Sequence, residues 1–458
     1  MIGLGVMGQN LLLNIADHGF AVAGFDTNTQ KVAELQQNAT VGTQIFATDN
    51  LPQFINALQS PKKIMLLVPA GPAVDAVLQN LAPYLNQGDI VIDGGNSFYK
   101  HTNERVQRLA AQGIHFMGMG VSGGEEGARR GPALMPGGDE VAWHHVQPIF
   151  EAIAAKVGTD ACVAYMGKDA AGHFVKMVHN GIEYAVMQLI AETYAVLKHG
   201  LHYTNTQLQD VFTRWNSTEL ESYLIEITAD IFGKKAEDET TDIIDIILDV
   251  AGSKGTGKWT SVEALQLSIP IPTIDAAVTA RAVSTFKPLR NSLATTVQKC
   301  TGEFTITEND CKSALYAAII VAYVQGLHLI QQASVDMNMQ VPLANAVKVW
   351  RGGCIIRSQL LTTFYDVFVQ HPQTVQLLEA APIQQLLNTH IQGLRAVVSQ
   401  ATQNGIACSA LASAVTYFDM FSTAYLPINL IQAQRDYFGA HTYQRTDKDG
   451  SFHTQWQA

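Results

Sequence analysis

Basic residues are in short supply in this sequence of 458 residues. Lysine and arginine number 29 against 40 aspartates and glutamates, the net charge is −11, and no basic run occurs. An acidic chain of this kind repels polyphosphate, so nucleic acid is not expected as a partner. A small anionic substrate remains possible, because the local charge of a pocket can oppose the net charge of the protein.

Cysteine is also scarce. The five cysteines, Cys162, Cys300, Cys311, Cys354 and Cys408, have neither Cys-x-x-Cys spacing nor the Cys/His spacing of a metal site. A scattered, odd-numbered set is typical of reduced thiols. We therefore expect a cytoplasmic protein without a bound metal.

Long hydrophobic runs and a recognisable targeting segment are missing as well. No apolar run reaches the ~18 residues of a membrane span. A glycine-rich stretch begins at residue 3, where a signal peptide would have its charged and apolar regions. Residues 314–326 are apolar but contain Tyr316, Tyr323 and Gln325, which favours a buried helix. We expect no membrane partner.

Strand and helix signals alternate in the first part of the chain. Apolar runs at 21–25, 63–68 and 89–93 are predicted strands, and residues 10–18 and 72–85 are predicted helices. Alternation of this kind, with strands buried on both faces, is typical of a parallel doubly wound sheet. We predict an α/β Rossmann-type domain over residues 1–171.

Beyond about Gly172 the pattern changes to long segments with a helical period. We predict helices over 173–198, 206–230, 242–251, 310–336 and 372–404, within an all-helical domain spanning 172–431. Trp215 and Trp350 precede similar short segments, and each follows a long helix with a central glutamine, Gln188 or Gln325. An internal duplication and a chance likeness both explain this loose match.

The last segment, residues 432–458, is rich in Tyr, Gln and His and has little helical period. A frayed terminus is the usual fate of a chain end. The aromatic residues of this tail oppose that interpretation, because disordered tails are poor in them. They are Tyr437, Phe438, Tyr443, Phe452 and Trp456.

A glycine-rich motif at the beginning of the chain predicts dinucleotide binding. It consists of Gly3, Leu4, Gly5, Val6, Met7 and Gly8, and a predicted helix follows it at once. Its glycines permit a tight turn and close approach of a pyrophosphate to the helix N-terminus. Only Met1 and Ile2 precede the motif, whereas a strand usually has about 5–6 residues. We therefore expect that the native chain begins a few residues earlier, which N-terminal sequencing would test.

Asp26 ends the next predicted strand, near the spacing expected of the acidic residue that binds the cofactor ribose. A carboxylate there accepts a hydrogen bond from the 2′-hydroxyl of NAD and repels the 2′-phosphate of NADP. The next four residues contain no arginine, and the first cation is Lys31. The alternative role for Asp26 is that of a helix N-cap.

The densest group of chemically active residues lies at 172–184. On a helix, Lys176, His179, Asn180 and Glu183 fall at i, i+3, i+4 and i+7, and so on one face. The amine and the carboxyl group are then about 10 Å apart along the axis, enough to bracket a small substrate. The alternative is a solvated face with ordinary ion pairing, although His and Asn are poor choices for it.

Two further glycine-rich turns are candidates for anion binding. Residues 120–128 offer backbone N–H groups and the hydroxyl of Ser122 to a carboxylate. Residues 252–259 resemble a P-loop only superficially, because the G-x-x-x-x-G-K-[ST] spacing is absent. An NTPase is thereby excluded, but the turn remains suited to a phosphate monoester. The alternative for the turn at 120–128 is an ordinary loop.

These motifs together resemble the decarboxylating 6-phosphogluconate dehydrogenases. The resemblance runs through 92–97, 121–127, 172–184, 254–259 and 432–441 in the right order. It implies oxidation of 6-phosphogluconate at C3 and release of CO2, giving ribulose 5-phosphate in the oxidative pentose phosphate pathway. It also implies a homodimer in which the tail of residues 432–458 reaches into the partner subunit's site.

The resemblance implies a role for each matching residue. Lys176 corresponds to the general base, and Glu183 corresponds to the acid that protonates C1 of the enediol left after loss of CO2. The implied substrate contacts are Asn96, Ser122, Gly123, Gly124, His179, Asn180, Tyr184, Lys254, Arg281, Arg435 and His441. Besides the glycine-rich motif, the implied cofactor contacts are Asp26, Thr27, Asn28, Val68, Pro69, Ala70 and Asn96. Tyr184, Lys254 and Arg281 belong to the phosphate end.

Two departures from the family bear on the cofactor. Members that use NADP commonly carry Asn-Arg-Thr where this chain has Asp26, Thr27 and Asn28, and a lysine is often found at the position of Pro69. Both changes remove features that favour NADP, so we expect use of NAD, or of both cofactors. The alternatives for the whole chain are another β-hydroxyacid dehydrogenase, such as one acting on 3-hydroxyisobutyrate, and a non-catalytic cofactor-binding scaffold.

Overall fold

A computed structural model describes residues 1–297 and 302–456 of the chain. Cys300 and the last two residues of the predicted tail lie outside these ranges. The other four cysteines are free and buried, as expected of reduced thiols.

The first third of the chain forms a sheet whose strands are largely parallel. Its strands are Val22–Phe25 (β1), Ile45–Thr48 (β2), Lys63–Leu66 (β3), Ile90–Asp93 (β4), His115–Ser122 (β5) and Ala133–Gly138 (β6). β1 pairs with β2, and β3, β4 and β5 follow one another, all in parallel. β6 adds to β5 in the antiparallel sense. This arrangement confirms the predicted Rossmann-type fold class.

The residues before the glycine-rich motif join the two parts of this sheet. Ile2 forms parallel bridges with both Phe25 of β1 and Leu66 of β3. The Met1 amino group is buried and donates a hydrogen bond to the Ala23 carbonyl oxygen at 2.7 Å. A cleft of about 690 Å³ lies beside this junction, lined by Met1, Ile45, Met65 and other mainly apolar residues.

Helices cover the sheet, and strands β3 to β5 are almost wholly buried beneath them. They are Val6–Asp17 (α1), Thr29–Gln37 (α2), Leu51–Asn56 (α3), Pro72–Leu81 (α4), Tyr99–Ala110 (α5), Gly124–Arg130 (α6) and Glu140–Ile153 (α7). A small antiparallel pair, Lys156–Val157 (β7) and Asp160–Ala161 (β8), follows and leads to the helical region.

From Ala171 to Gly439 the described chain is built of helices. They are Ala171–Ala195 (α8), Asn205–Trp215 (α9), Tyr223–Gly233 (α10), Ile243–Ile246 (α11), Thr256–Gln266 (α12), Pro272–Ser284 (α13), Lys287–Thr296 (α14), Glu308–Asp336 (α15), Leu343–Trp350 (α16), Leu360–Gln370 (α17), Ala381–Gln403 (α18), Ser409–Phe421 (α19) and Ile428–Gly439 (α20). A π-helical turn, Val196–Gly200, extends α8.

Three predicted helices were wrong in extent. Residues 206–230 form two helices. The first, α9, ends at Trp215, and Ser222 begins α10 by capping it with its hydroxyl. Residues 242–251 contain only the short α11, and the apolar residues at and after its end, Ile246, Ile247 and Leu248, are exposed. Residues 372–380 are outside α18, which begins at Ala381 with a proline in its first turn.

The order of helices agrees with an internal duplication. A long helix, a shorter one and a third of eleven residues occur as α8–α9–α10 and again as α15–α16–α17. The corresponding segments before α10 and α17 pair with each other through an antiparallel bridge between Ser222 and Ser358. α15 lies at the centre of this region and packs against α8 and α18.

Helix α15 is long and apolar enough to cross a membrane by length and composition, but 89% of its most apolar window is buried inside the protein. It therefore has the environment of a core helix, as predicted for residues 314–326.

The tail contains more helix than its sequence indicated, because α20 continues to Gly439. The residues after it fold back, and Tyr443 pairs with Phe452 in an antiparallel bridge. The Asp436 carboxylate is wholly buried and accepts hydrogen bonds from Thr442 N, Thr454 N, His453 Nδ1 and Trp456 Nε1. The described part of the tail is thus an ordered unit, not a frayed end.

Candidate active site

The start of helix α8 is pressed directly against the sheet. A Cβ atom on Gly172 would overlap the carbonyl oxygens of Gly118 in β5 and Met135 in β6. Gly120 of β5 has no side chain at the point where the aliphatic stem of Lys176 passes. These two glycines allow a long side chain from α8 to lie against the carboxyl end of β5.

Lys176 is 6% exposed and His179 is wholly buried, so the solvated-face interpretation of this helix was wrong. Burial lowers the pKa of Lys176 to about 8, against the opposing effect of the Glu183 carboxylate. Burial also raises the pKa of Glu183, which the charge of Lys176 partly offsets. Both shifts favour the uncharged forms, an amine that can accept a proton and a carboxylic acid that can donate one.

His179 lies between these two groups. Its Nδ1 is 3.3 Å from Lys176 Nζ, 3.2 Å from Asn180 Oδ1 and 4.0 Å from Glu183 Oε2. Its Nε2 is 3.4 Å from the hydroxyl of Ser122. Burial and the charge of Lys176 hold the pKa of His179 well below its usual value, so the imidazole is neutral. The predicted residues of α8 and of the turn after β5 are therefore brought together.

The turn that follows β5 contains Ser122, Gly123 and Gly124. Gly123 has φ +121°, and a Cβ atom there would lie 2.6 Å from the Gly353 carbonyl oxygen. A second loop, which precedes α17, thus supports the turn from behind. Helix α6 begins at Gly124, so its first N–H groups are available to an anion beside Ser122.

The residues predicted for the phosphate end are close to Glu183. The Arg281 guanidinium stacks on the Tyr184 ring, with Cζ 3.4 Å from the ring centre. The Tyr184 hydroxyl is 3.1 Å from that of Ser253, in the loop that contains the exposed Lys254. A cation stacked on an aromatic ring keeps its N–H groups available at the ring edge. This arrangement suits a phosphate monoester.

The glycine-rich motif has the shape required for a pyrophosphate. Gly3 has φ +92°, and a Cβ on Gly8 would overlap the Gly3 carbonyl oxygen, so α1 packs closely on the turn. Space is open in front of Gly5, where a Cβ would meet nothing within 4 Å. The N-terminus of α1 therefore provides an accessible set of N–H groups, and the residues present fit a dinucleotide.

Asp26 binds the glycine-rich turn itself. Its Oδ2 accepts a hydrogen bond from Leu4 N at 2.8 Å, and its Oδ1 accepts one from Asn28 N at 2.9 Å. Lys31 Nζ lies 3.6 Å from the same carboxylate. The helix N-cap alternative was wrong, because Asn28 caps α2 with its side chain. Thr27 is exposed beside this turn.

Val68, Pro69 and Ala70 form the loop between β3 and α4, and Asn96 is exposed on the turn after β4. A Cβ on Gly95 would lie 3.3 Å from the Val68 carbonyl oxygen. The two loops therefore touch at the carboxyl edge of the sheet, where open α/β sheets bind their ligands.

Arg435 and His441 are predicted substrate contacts that do not lie with Lys176, Glu183 and Arg281. Arg435 donates a hydrogen bond to Gln432 Oε1, and the His441 ring contacts that of Phe438 edge to face. In the described part of the chain, no hydrogen bond or ion pair joins either residue to Lys176, Glu183 or Arg281. Both are exposed.

Several residues at the site were missed by sequence reasoning. Trp350 contacts the His179 ring edge to face at 5.8 Å, and Cys354 lies close enough to Lys176 to affect its pKa. Arg105 is buried beneath the two cofactor-edge loops. Trp350 had been noticed only as part of a loose repeat and Cys354 only as one of five scattered cysteines, and Arg105 belongs to no motif.

Comparison with known proteins identifies the family. The family model for the NAD binding domain of 6-phosphogluconate dehydrogenase matches residues 1–167, and that for its C-terminal domain matches 172–456.

Full-length relatives agree with this assignment. The decarboxylating 6-phosphogluconate dehydrogenase of Aggregatibacter actinomycetemcomitans is 47% identical over all of this chain and 96% of that protein. The NADP(+)-dependent decarboxylating enzyme of Bacillus subtilis is 46% identical over all of this chain and 98% of its own. The 6-phosphogluconate dehydrogenase of Plasmodium falciparum, whose structure was solved without ligand, with NADP+ and with 6-phosphogluconate, superimposes with a TM-score of 0.96 at 42% identity and 99% coverage of both chains. The chain therefore belongs to the 6-phosphogluconate dehydrogenase family.

Proposed function

We propose that this chain oxidises 6-phosphogluconate at C3 and decarboxylates the product, with Lys176 as the general base and Glu183 as the general acid. The observation that carries the proposal is the geometry of one buried helix face, where His179 Nδ1 lies 3.3 Å from Lys176 Nζ and 4.0 Å from Glu183 Oε2. Burial there lowers the pKa of the amine to about 8 and raises the pKa of the carboxyl group. Groups with these shifts can exchange protons near neutral pH. The identity of the substrate, 6-phosphogluconate, is inferred from the family to which the chain belongs.

The first step removes the proton of the 3-hydroxyl group and a hydride from C3. Neutral Lys176 takes the proton of the 3-hydroxyl group, while a bound NAD or NADP supplies the hydride acceptor. The product is a β-keto acid, which loses CO2 and leaves an enediol. Lys176, now an ammonium, gives its proton to the C3 oxygen as CO2 leaves, which neutralises the developing charge and completes the enediol. Glu183 then delivers its proton to C1 of the enediol, the carbon that lost CO2, while the hydroxyl group on the next carbon returns its proton to Lys176, and ribulose 5-phosphate results.

The remaining residues orient the sugar acid between these two groups. Ser122, Gly123 and Gly124 face the carboxylate end, and Tyr184, Lys254 and Arg281 receive the phosphate. His179 and Asn180 lie between them on α8, and Asn96 contacts both substrate and cofactor. The closeness of Arg281 to Tyr184, and of Ser122 to His179, supports these assignments.

Substitution of the base tests the proposal. Lys176→Met should abolish turnover of 6-phosphogluconate, measured as absorbance at 340 nm and as released CO2, because no neutral amine remains. The control is Lys168→Met, which removes an exposed lysine just before α8. Unchanged turnover in Lys176→Met would overturn the assignment.

Glu183 is tested separately. Glu183→Gln should keep a first turnover of cofactor reduction, which does not use the acid, and lose about 10²–10⁴-fold in steady-state rate. Rapid-mixing absorbance measurements at 340 nm distinguish the first turnover from the steady-state rate. Equal losses of the first and later turnovers would show that Glu183 acts earlier than we propose.

We propose further that the cofactor is NADP or NAD, with NAD use favoured by Asp26 and Thr27. A carboxylate at this position repels a 2′-phosphate, and Lys31 is already within 3.6 Å of it. Replacing Asp26 and Thr27 by Asn and Arg should shift the ratio of kcat/KM towards NADP. A much higher kcat/KM with NADP in the unmodified protein would overturn this reading of Asp26.

The proposed organisation is a Rossmann-type domain at 1–171, a helical substrate and dimerisation domain at 172–431, and a tail at 432–458 that enters the partner subunit's site. Large apolar side chains of the tail region are exposed, among them Leu430, Tyr437 and Phe438. A partner surface would bury them and would explain why Arg435 and His441 lie apart from Lys176. We also propose a cytoplasmic location, consistent with the free cysteines.

A further inference from the structure

Arg105 of helix α5 occupies a buried position beneath the cofactor and substrate loops, with 2% of its surface exposed. Its Nε and Nη2 form a two-pronged ion pair with Asp75, at 3.1 and 2.7 Å, and Nη2 also donates to the Gly71 carbonyl oxygen at 3.0 Å. Gly71 and Asp75 belong to the beginning of α4, directly after the predicted cofactor loop 68–70. One side of the guanidinium therefore binds the start of α4, next to loop 68–70, which we call the cofactor edge.

The other side faces the turn that contains Asn96. Nη1 of Arg105 lies 3.5 Å from Asp93 Oδ2 and has no hydrogen-bond partner of its own. Asp93 is wholly buried, and its carboxylate shapes the turn by accepting hydrogen bonds from Gly95 N at 3.0 Å and from the Ser97 hydroxyl at 2.6 Å. The guanidinium is thus the cation that compensates the carboxylate on which this turn is built.

The same helix also touches the catalytic helix. Thr102, one turn before Arg105, has its hydroxyl 2.7 Å from Nδ1 of the buried His173. His173 precedes Lys176 by three residues and so lies on the same side of α8. Helix α5 therefore connects the cofactor edge, the Asn96 turn and the start of α8 through buried polar contacts.

We propose that Arg105 is a positioning residue that fixes the turn of residues 94–97, and with it Asn96, against the cofactor edge. The inference rests on the proposed contact role of Asn96. Arginine is suited to the task because its planar fork spans two carboxylates in fixed directions, which a lysine ammonium does not. Displacement of a site by about 1 Å is enough to cost about a hundredfold in rate.

A double-mutant cycle tests the proposal on the full-length protein. Arg105→Lys keeps the buried positive charge but loses the fork, and should lower kcat/KM for 6-phosphogluconate by about tenfold to a hundredfold. Asn96→Ala should lower it too, and the double variant should be no worse than Asn96→Ala alone, because Arg105 acts through Asn96. Arg108→Met is the matched control, since Arg108 also pairs with Asp75 but is exposed and does not face Asp93.

A second variant keeps the test decisive if Arg105→Lys fails to fold. Ser97→Ala removes the hydroxyl that holds Asp93 from the other side, and should show the same non-additivity with Asn96→Ala. Additive losses in either cycle, or near wild-type kcat/KM in both single variants, would overturn the proposal. Full activity of Asn96→Ala would overturn it as well, by removing the assumed role of Asn96. Wild-type turnover of 6-phosphogluconate reports on the proposed function independently of all three variants.

Discussion

At the scale of the residue, the proposed chemistry depends on one amine whose pKa is lowered by burial. The pKa of Lys176 is lowered to about 8 because its ammonium form has lost its water. A protonated amine cannot accept the 3-hydroxyl proton, so kcat/KM should rise with pH and level off above about pH 8, falling about tenfold per unit below that. The profile is measured between about pH 7 and 10, above the titration of the substrate phosphate.

The negative charge of Glu183 raises the pKa of Lys176, whereas burial lowers it. Glu183→Gln should therefore move the acid limb of first-turnover cofactor reduction to lower pH. A limb unchanged in this variant, or a wild-type profile flat over the whole range, would contradict the electrostatic account.

The residue scale also marks the limit of prediction from sequence. Lys176, His179, Asn180 and Glu183 could be placed on one face, because helical spacing is a local property. Whether that face is solvated or buried depends on β5, whose Gly120 makes room for Lys176. The role of Asp26 was only partly predictable, since its hydrogen bond to Leu4 joins residues 22 positions apart.

At the scale of the element, helix α8 owes its position to the absence of a side chain at Gly172. Gly172→Ala would drive a methyl group into the carbonyl oxygens of β5 and β6 and push the helix outwards. We expect a loss of about 1–3 kcal/mol in the free energy of unfolding, or more, from overpacking against backbone. Chemical denaturation measures it, and turnover should fall because Lys176 moves with the helix.

A matched glycine separates packing from the general effect of the substitution. Gly252→Ala adds a methyl group where nothing lies within 4 Å, so its free energy of unfolding should stay close to that of the wild type. Equal effects of the two substitutions would show that α8 is not held by this contact.

Element boundaries were predicted well where periodicity and tertiary burial agree. Helix α15 was predicted at 310–336 and runs from Glu308, because Thr307 and Asp310 form a capping box just ahead of the apolar residues. The break between α9 and α10 was missed. Ser222, just before α10, has an extended backbone and pairs with Ser358 in an antiparallel bridge. No local sequence pattern connects these two distant segments.

At the scale of the whole molecule, the two similar series of helices, α8–α9–α10 and α15–α16–α17, differ in their chemistry. Helices α8 and α15 occupy corresponding places, but only α8 presents an amine, an imidazole and a carboxyl group towards the sheet. The face of α15 is filled with Ala, Ile and Val and packs inside the protein. The sequence predicted both helices and the burial of α15, whereas the bridge between Ser222 and Ser358 emerged only from the fold.

The tail supplies the last prediction. Asp436 folds the described part of the tail around its carboxylate, and leaves Arg435 and His441 exposed on that unit. If the tail serves the partner subunit, two inactive variants should complement each other. Lys176→Met keeps its tail, and a variant with Arg435→Met and His441→Ala keeps its lysine. A mixed dimer of the two then has one complete site.

Subunit exchange between these variants should therefore restore about a quarter of wild-type activity, because half of the dimers are mixed and each has one intact site out of two. Activity is followed at 340 nm after mixing under conditions that allow exchange, and light scattering verifies that dimers persist. Lys176→Met mixed with a second preparation of itself is the control. If the tail acted on its own subunit, both sites of the mixed dimer would stay defective, and mixing would restore nothing.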